Sequence, residues 1–79
     1  MLKLKIKFER QAVKQIESLE KILKERIKRG IDNLPNGDVK KLQGYTATYR
    51  LRIGGYRIIY SYLGDSLIIK AVLPRGSAY

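Results

Sequence analysis

The stretch Tyr49-Arg50-Leu51-Arg52-Ile53-Gly54-Gly55-Tyr56-Arg57 (YRLRIGGYR) reads as a strand, a glycine turn and the start of a second strand. Two adjacent glycines between alternating runs suit a two-residue hairpin loop, whose positive φ is easy only for glycine. With Gly54-Gly55 as the loop, Ile53 falls opposite Tyr56, Arg52 opposite Arg57, Leu51 opposite Ile58 and Arg50 opposite Ile59. Directly opposed residues share a face of a sheet. Arg50, Arg52 and Arg57 therefore project together from one side, and Leu51, Ile53, Tyr56 and Ile58 from the other.

Working outward, three strands at hairpin spacing are expected over about residues 45–53, 56–63 and 66–73, with Gly64-Asp65 as a second loop. That register sets Lys70 opposite Ile59, on the arginine side. At the other end of the chain, residues 2–8 alternate, with Leu2, Leu4, Ile6 and Phe8 on one face and Lys3, Lys5 and Lys7 on the other, as in a half-buried strand. From about Glu9 the period changes: Val13, Ile16, Leu19, Leu23, Ile27, Ile31 and Leu34 recur three or four apart, as on a helix with one apolar face. One helix or two is left open, Ser18 being the plausible break as the cap of a second. Pro35-Asn36-Gly37-Asp38 ends the helical part, and VKKLQG at 39–44 is a connection. The expectation is an α+β fold: a two-layer β-α(α)-β-β-β sandwich with a largely antiparallel four-stranded sheet, helices on one face and the other face open.

A chain of 79 residues is one domain, 1–79, and at this length hides only about 60% of its unfolded surface. Cysteine and histidine are absent, which excludes disulfides, thiolate sites and ordinary zinc chemistry, and suits a reducing compartment. MLKLKIKFERQ alternates lysine with apolar residues and is no signal peptide, and nothing approaches transmembrane length. A cytoplasmic protein that needs no cofactor, no metal and no membrane is expected. The net charge of +10 favours polyanionic partners.

Like charges directly opposite each other destabilise a sheet by about 0.2–1 kcal/mol, and the strands read here carry no acid to compensate. Exposed arginines on a solvated face are the plain alternative; three of them with Lys70 favour an anion site, because guanidinium forks match phosphates. Without histidine or cysteine, a Ser-His-Asp arrangement is impossible and any reaction must use Arg, Lys or Tyr. Cleavage of RNA fits that inventory, since the 2′-hydroxyl supplies the nucleophile and the protein positions it, stabilises charge and moves protons. The closing PRGSAY, residues 74–79, comes directly after the last strand and brings Arg75 and Tyr79 to the sheet edge.

The run VKKLQGYTATYRLRIGGYRIIY, followed by IIKAVLPRGSAY, resembles the RelE/ParE toxin superfamily, and within it the RelE branch, along the whole chain. The resemblance implies the toxin of a type II toxin–antitoxin pair, a metal-independent mRNA interferase that cuts in the ribosomal A site and leaves a 2′,3′-cyclic phosphate. By position it gives Arg50 and Arg52 the places of two basic residues, often lysines, that contact the phosphate. Arg57 takes the place of the arginine that holds the scissile phosphate in the transition state. Arg75 matches the arginine proposed to help protonate the 5′-oxygen, and Tyr79 the tyrosine that stacks on a base and is proposed to activate the 2′-hydroxyl. Lys3, Lys5, Lys7 and Lys70 are further nucleic-acid-binding candidates. Pro74 stands where many relatives have histidine, and Ser77 where aspartate is common. Implied partners are the ribosome with its mRNA, and a cognate antitoxin with an acidic or amphipathic segment; operator DNA enters only through the antitoxin. Two other readings stand beside this one: a ParE-type inhibitor of DNA gyrase on the same scaffold, and a non-catalytic basic nucleic-acid-binding module or inactive toxin.

Overall fold

The hairpin forms in the register that its two glycines dictate. In a computed structural model, which describes residues 5–76, β3 (Thr48–Ile53) pairs antiparallel with β4 (Tyr56–Leu63), with Ile53 opposite Tyr56, Arg52 opposite Arg57 and Arg50 opposite Ile59. Gly54 turns at φ +55° while Gly55 stays outside the positive region, the pattern of a type II′ loop, which matches the right-handed twist of the strands. The other elements are β1 (Lys5–Phe8), α1 (Arg10–Glu17), α2 (Lys21–Asp32), β2 (Asp38–Lys41) and β5 (Ser66–Pro74). They build a five-stranded sheet in the order β1-β5-β4-β3-β2, in which β1 alone runs parallel to its neighbour.

Both helices lie on one face. Ala12 of α1 with Ile27 and Ile31 of α2 share a buried cluster with Leu51, Ile58, Tyr60, Leu67, Ile69 and Val72 from the three central strands. The two-layer α+β sandwich is thus as expected, with one strand more: Asp38–Lys41, where the sequence suggests a turn and a connection, pairs with β3 as an edge strand. The helical segment divides where Ser18 suggested, but Ser18 closes α1 instead of opening α2: its Oγ donates to the Gln15 carbonyl at 2.7 Å, and α2 starts after Glu20 with no side-chain cap. Gly30 remains inside α2 because the helix meets β3 there; a Cβ at Gly30 would collide with Cδ1 of Ile53.

The second register expectation fails at one residue. From Leu63–Ser66 to Tyr60–Ile69 the β4–β5 pairing obeys the Gly64-Asp65 loop, then Ile59 faces Ala71, and Lys70 is the extra residue of a bulge. β1 ends at Phe8, opposite Ile69, so β5 has no strand on that side beyond the bulge. Two glutamines one turn apart on α1 take over: Gln11 Nε2 donates to the Lys70 carbonyl at 2.8 Å, and the Val72 amide donates to Gln15 Oε1 at 2.6 Å. Backbone groups that the ladder leaves over are thereby satisfied.

Away from the loop, the rings of Tyr49, Tyr60 and Tyr62 meet at centroid distances of 5.6–5.9 Å on the helix side. Burial, with smaller contributions from Tyr62 and Tyr49, pushes the Tyr60 phenol up to about 12. A group whose folded pKa is raised contributes stability that is fully present below its unfolded value, here about 10, and is lost as pH rises toward 12. Chemical denaturation between pH 9 and 12 is therefore expected to show stability falling across that window, with a shallower fall in Tyr60→Phe; identical slopes would remove Tyr60 as the cause. Among the described residues, no helix is long and apolar enough to cross a membrane.

Candidate RNA-phosphate cleft

Because the hairpin register puts Arg50, Arg52 and Arg57 on the face without helices, their side chains converge at its looped end. There they line a cleft of about 200 Å³ whose wall includes Gly54 and Gly55. The fourth arginine arrives through the backbone: the amide of Arg75 donates to the Gly55 carbonyl at 2.6 Å, extending the β4–β5 ladder past Pro74 and bringing Arg75 into the same cleft. The bulge contributes to this. By shifting β5 one residue it sets Leu73 opposite Arg57 and Pro74 opposite Tyr56, so that Arg75 comes level with the loop.

The arginines are not equivalent. Arg50 Nη1 reaches the Asp38 carboxylate at 3.5 Å and the Asp38 carbonyl at 3.3 Å, so β2 supplies an acid where the sequence pattern shows none on these strands. No such partner is present for Arg52, Arg57 or Arg75 among the described residues. Arg57 stands directly opposite Arg52, and its Nε is buried with no hydrogen-bond partner. A buried guanidinium N–H without an acceptor destabilises the empty protein by about 1–3 kcal/mol, which an anion seated in the cleft would offset. The charged groups here are four guanidiniums, which donate and cannot accept; with the Tyr56 phenol beside them and no carboxylate, the lining suits a phosphate. The face beneath is not bare, as the sequence had suggested: Ile59 and Ala71 are each 1% exposed. Ile59 lies opposite Arg50 and two residues from Arg57 on the same face, and stems of long basic side chains are suited to cover apolar surface of this kind.

The lysines go elsewhere. Lys70, expected among the arginines, sits in the bulge with Nζ 3.0 Å from Glu9 Oε2. Lys5 and Lys7 share the arginine face through their pairing with Ser66 and Ile68, and Lys5 lies 4.0 Å from Asp65. Ile68 is five positions along β5 from the partner of Arg57, about 16 Å at 3.3 Å per residue, so these lysines flank the cleft from a distance. Lys3 and Tyr79 lie outside the described residues. One further cation, which no sequence pattern singles out, stands close by. A Cβ placed on Gly54 would be 3.5 Å from both Nη1 and Nη2 of Arg26, on α2.

Comparison with known proteins agrees with this geometry. Residues 6–79 match the family described as the ParE toxin of a type II toxin–antitoxin system, parDE. Toxin RelE3 of Methanocaldococcus jannaschii is 34% identical, the match covering 96% of each chain. Among solved structures, the archaeal RelE-RelB complex from Pyrococcus horikoshii is similar at a TM-score of 0.79 with 32% identity, over 99% of this chain and 100% of that one. The isolated RelE toxin of E. coli, at 18% identity and a TM-score of 0.78 over 95% of this chain and 87% of that one, shares the fold. With the arginine hairpin, the two-layer sandwich and these relatives together, the chain belongs to the RelE/ParE superfamily of toxins from type II toxin–antitoxin systems.

Proposed function

We propose that this toxin is a ribosome-dependent mRNA endoribonuclease that cuts in the A site by attack of the 2′-oxygen on the adjacent phosphodiester. The observation that carries the reading is the convergence of Arg50, Arg52, Arg57 and Arg75 on one cleft, with a buried donor of Arg57 unsatisfied. In the reaction, a bond forms between the 2′-oxygen and phosphorus, and the bond to the 5′-oxygen breaks, giving a 2′,3′-cyclic phosphate and a 5′-hydroxyl. Negative charge builds on the non-bridging oxygens, where fixed guanidiniums are worth most. Arg57 holds that phosphate, Arg52 and Arg50 add field, and Arg75 serves the departing oxygen. Asp38 holds Arg50 in position and reduces its share of the charge.

Tyr79 is assigned the base. Its replacement by phenylalanine keeps the ring for stacking and removes the hydroxyl, so single-turnover cleavage is expected to slow and its rise between pH 6 and 8.5 to flatten, with Tyr79→Ala slower still. An unchanged rate and profile in Tyr79→Phe would leave arginine electrostatics and ribosomal positioning as the mechanism. With no histidine in the chain, no acid limb near pH 6.5 belongs to the profile.

A cognate antitoxin belongs to the same reading, since the Pyrococcus relative is a complex with RelB. An acidic segment suits the cleft, and an amphipathic one suits the groove of about 360 Å³ between the helices, where Phe8 and Val13 are 44% and 38% exposed. Toeprinting on programmed ribosomes with purified protein tests the function: A-site cuts that resist EDTA while the ribosome stays intact are expected. Absence of cuts, with inhibition of gyrase supercoiling in their place, would establish the ParE-type alternative.

A further inference from the structure

We propose that Arg26 of α2 is a fifth phosphate-binding residue, which holds the backbone phosphate next to the scissile one on the RNA strand seated in the arginine cleft. The inference rests on the reading of that cleft as an RNA-phosphate site and adds a second contact point to it.

Its position is a result of the missing side chain at Gly30. The absence of a Cβ there lets α2 come close enough for Ile53 Cδ1 to occupy the space. Ile53 is the last residue of β3, and the residue one helical turn before Gly30, on the same face, is Arg26. Side chains on a helix lean toward its N-terminus, so Arg26 overhangs the Gly54-Gly55 loop that adjoins Ile53. Its guanidinium accordingly lies beside Gly54, which also lines the arginine cleft. A Cβ at Gly54 would already touch this guanidinium, so any longer side chain there would crowd it.

No partner holds Arg26 for structural reasons. It makes no hydrogen bond or ion pair among the described residues, and its neighbours three and four positions away, Ile22, Leu23, Arg29 and Gly30, carry no acid. Lys28, two residues on, carries the same charge but lines the groove between α1 and α2. The two residues therefore separate position from net charge. Since Arg26 stands beside the Gly54 loop and is not among the residues that line the cleft, while the reacting phosphate is assigned to Arg57, its contact is the same in the ground and transition states. Such a contact changes the concentration needed for saturation and leaves the saturated rate alone.

The test is fluorescence anisotropy with a fluorescein-labelled RNA hexamer methylated at every 2′-oxygen, which offers phosphates and has no nucleophile. For single strands the slope of log affinity against log salt is about −0.7 per phosphate neutralised. Arg26→Ala is expected to make that slope shallower by about 0.7, Arg26→Lys to restore most of it, and Lys28→Ala to leave it unchanged. In single-turnover cleavage on ribosomes, Arg26→Ala should raise the half-saturating toxin concentration several-fold at an unaltered plateau rate. An unchanged slope in Arg26→Ala, an equal loss in Lys28→Ala, or an effect confined to the ribosome, which would assign the contact to ribosomal RNA, each overturns the proposal. Failure of the cleft reading looks different: the wild type itself would then bind the hexamer with no dependence on Arg57.

Discussion

Arg57→Ala is expected to remove most cleavage, about 10²–10³-fold in the single-turnover rate, without weakening the fold. The loss has the size of one well-placed transition-state donor, about 2.7–4 kcal/mol. Stability should behave in the opposite sense to that of an ordinary half-buried residue. Truncation removes a buried Nε that has no partner and the charge directly opposite Arg52, both unfavourable in the empty protein. Against these stands the packing of the aliphatic stem over the sheet. Substitutions away from structural features usually stay within about 0.5 kcal/mol, a shift of about 2–4 °C in a domain of this size, so a melting temperature unchanged or raised is expected. Calorimetry and A-site cleavage on the same preparation separate the roles. A melting temperature lowered by about 8 °C or more with cleavage retained would make Arg57 a structural residue. Raised stability with lost activity is the outcome to expect of a site that holds unsatisfied donors for its substrate.

The parts of this arrangement that were legible in the sequence are those fixed by local chemistry. Gly54-Gly55 sets a two-residue loop, the loop sets the register, and the register assigns each arginine its face, with no tertiary information needed. The change from period two to three or four residues between Phe8 and Val13 separates strand from helix by the same kind of reasoning. The features that stayed hidden depend on contacts distant in sequence. β2 is four residues, DVKK, exposed on an edge, and has too little alternation to declare itself; only pairing with β3 makes it a strand. The acid beside Arg50 was hidden for that reason, since Asp38 belongs to that strand.

The bulge at Lys70 is the more instructive case. LIIKAV continues an apolar run straight through position 70, and the lysine fits the polar phase of a regular strand. Nothing local shows that the ladder skips it, because the cause lies on α1, where Gln11 and Gln15 accommodate the irregular backbone, and just before it, where Glu9 takes the ammonium. Arg26 is hidden similarly: on a helical wheel it is one more surface cation, and only the close approach at Gly30 brings it to the loop.

Ile58→Ala is expected to be the strongest single destabilisation, at about 2–5 kcal/mol. The neighbour of Arg57 points the other way, into the cluster under the helices, and is 0% exposed. Removing its outer carbons deletes buried apolar surface and leaves a cavity where the central strand β4 meets residues of α2 and β5, a site with little freedom to collapse. Out of a typical total of about 5–15 kcal/mol, such a loss shifts the urea midpoint strongly while the slope stays constant. Cleavage per folded molecule should survive, the converse of Arg57→Ala. Ile59 makes the comparison sharper. It lies on the arginine face and would be tolerant if that face were open, yet at 1% exposure it is enclosed as fully as Ile58. Ile59→Ala should therefore also destabilise, and because it opens a space directly opposite Arg50 and two residues from Arg57, it should slow cleavage as well. Loss of stability alone in Ile58→Ala, and of both in Ile59→Ala, would trace the two faces of one strand by function. If Ile58→Ala shifted stability by less than about 1 kcal/mol, well below the range for a buried isoleucine, Ile58 would not belong to the close-packed core under the helices.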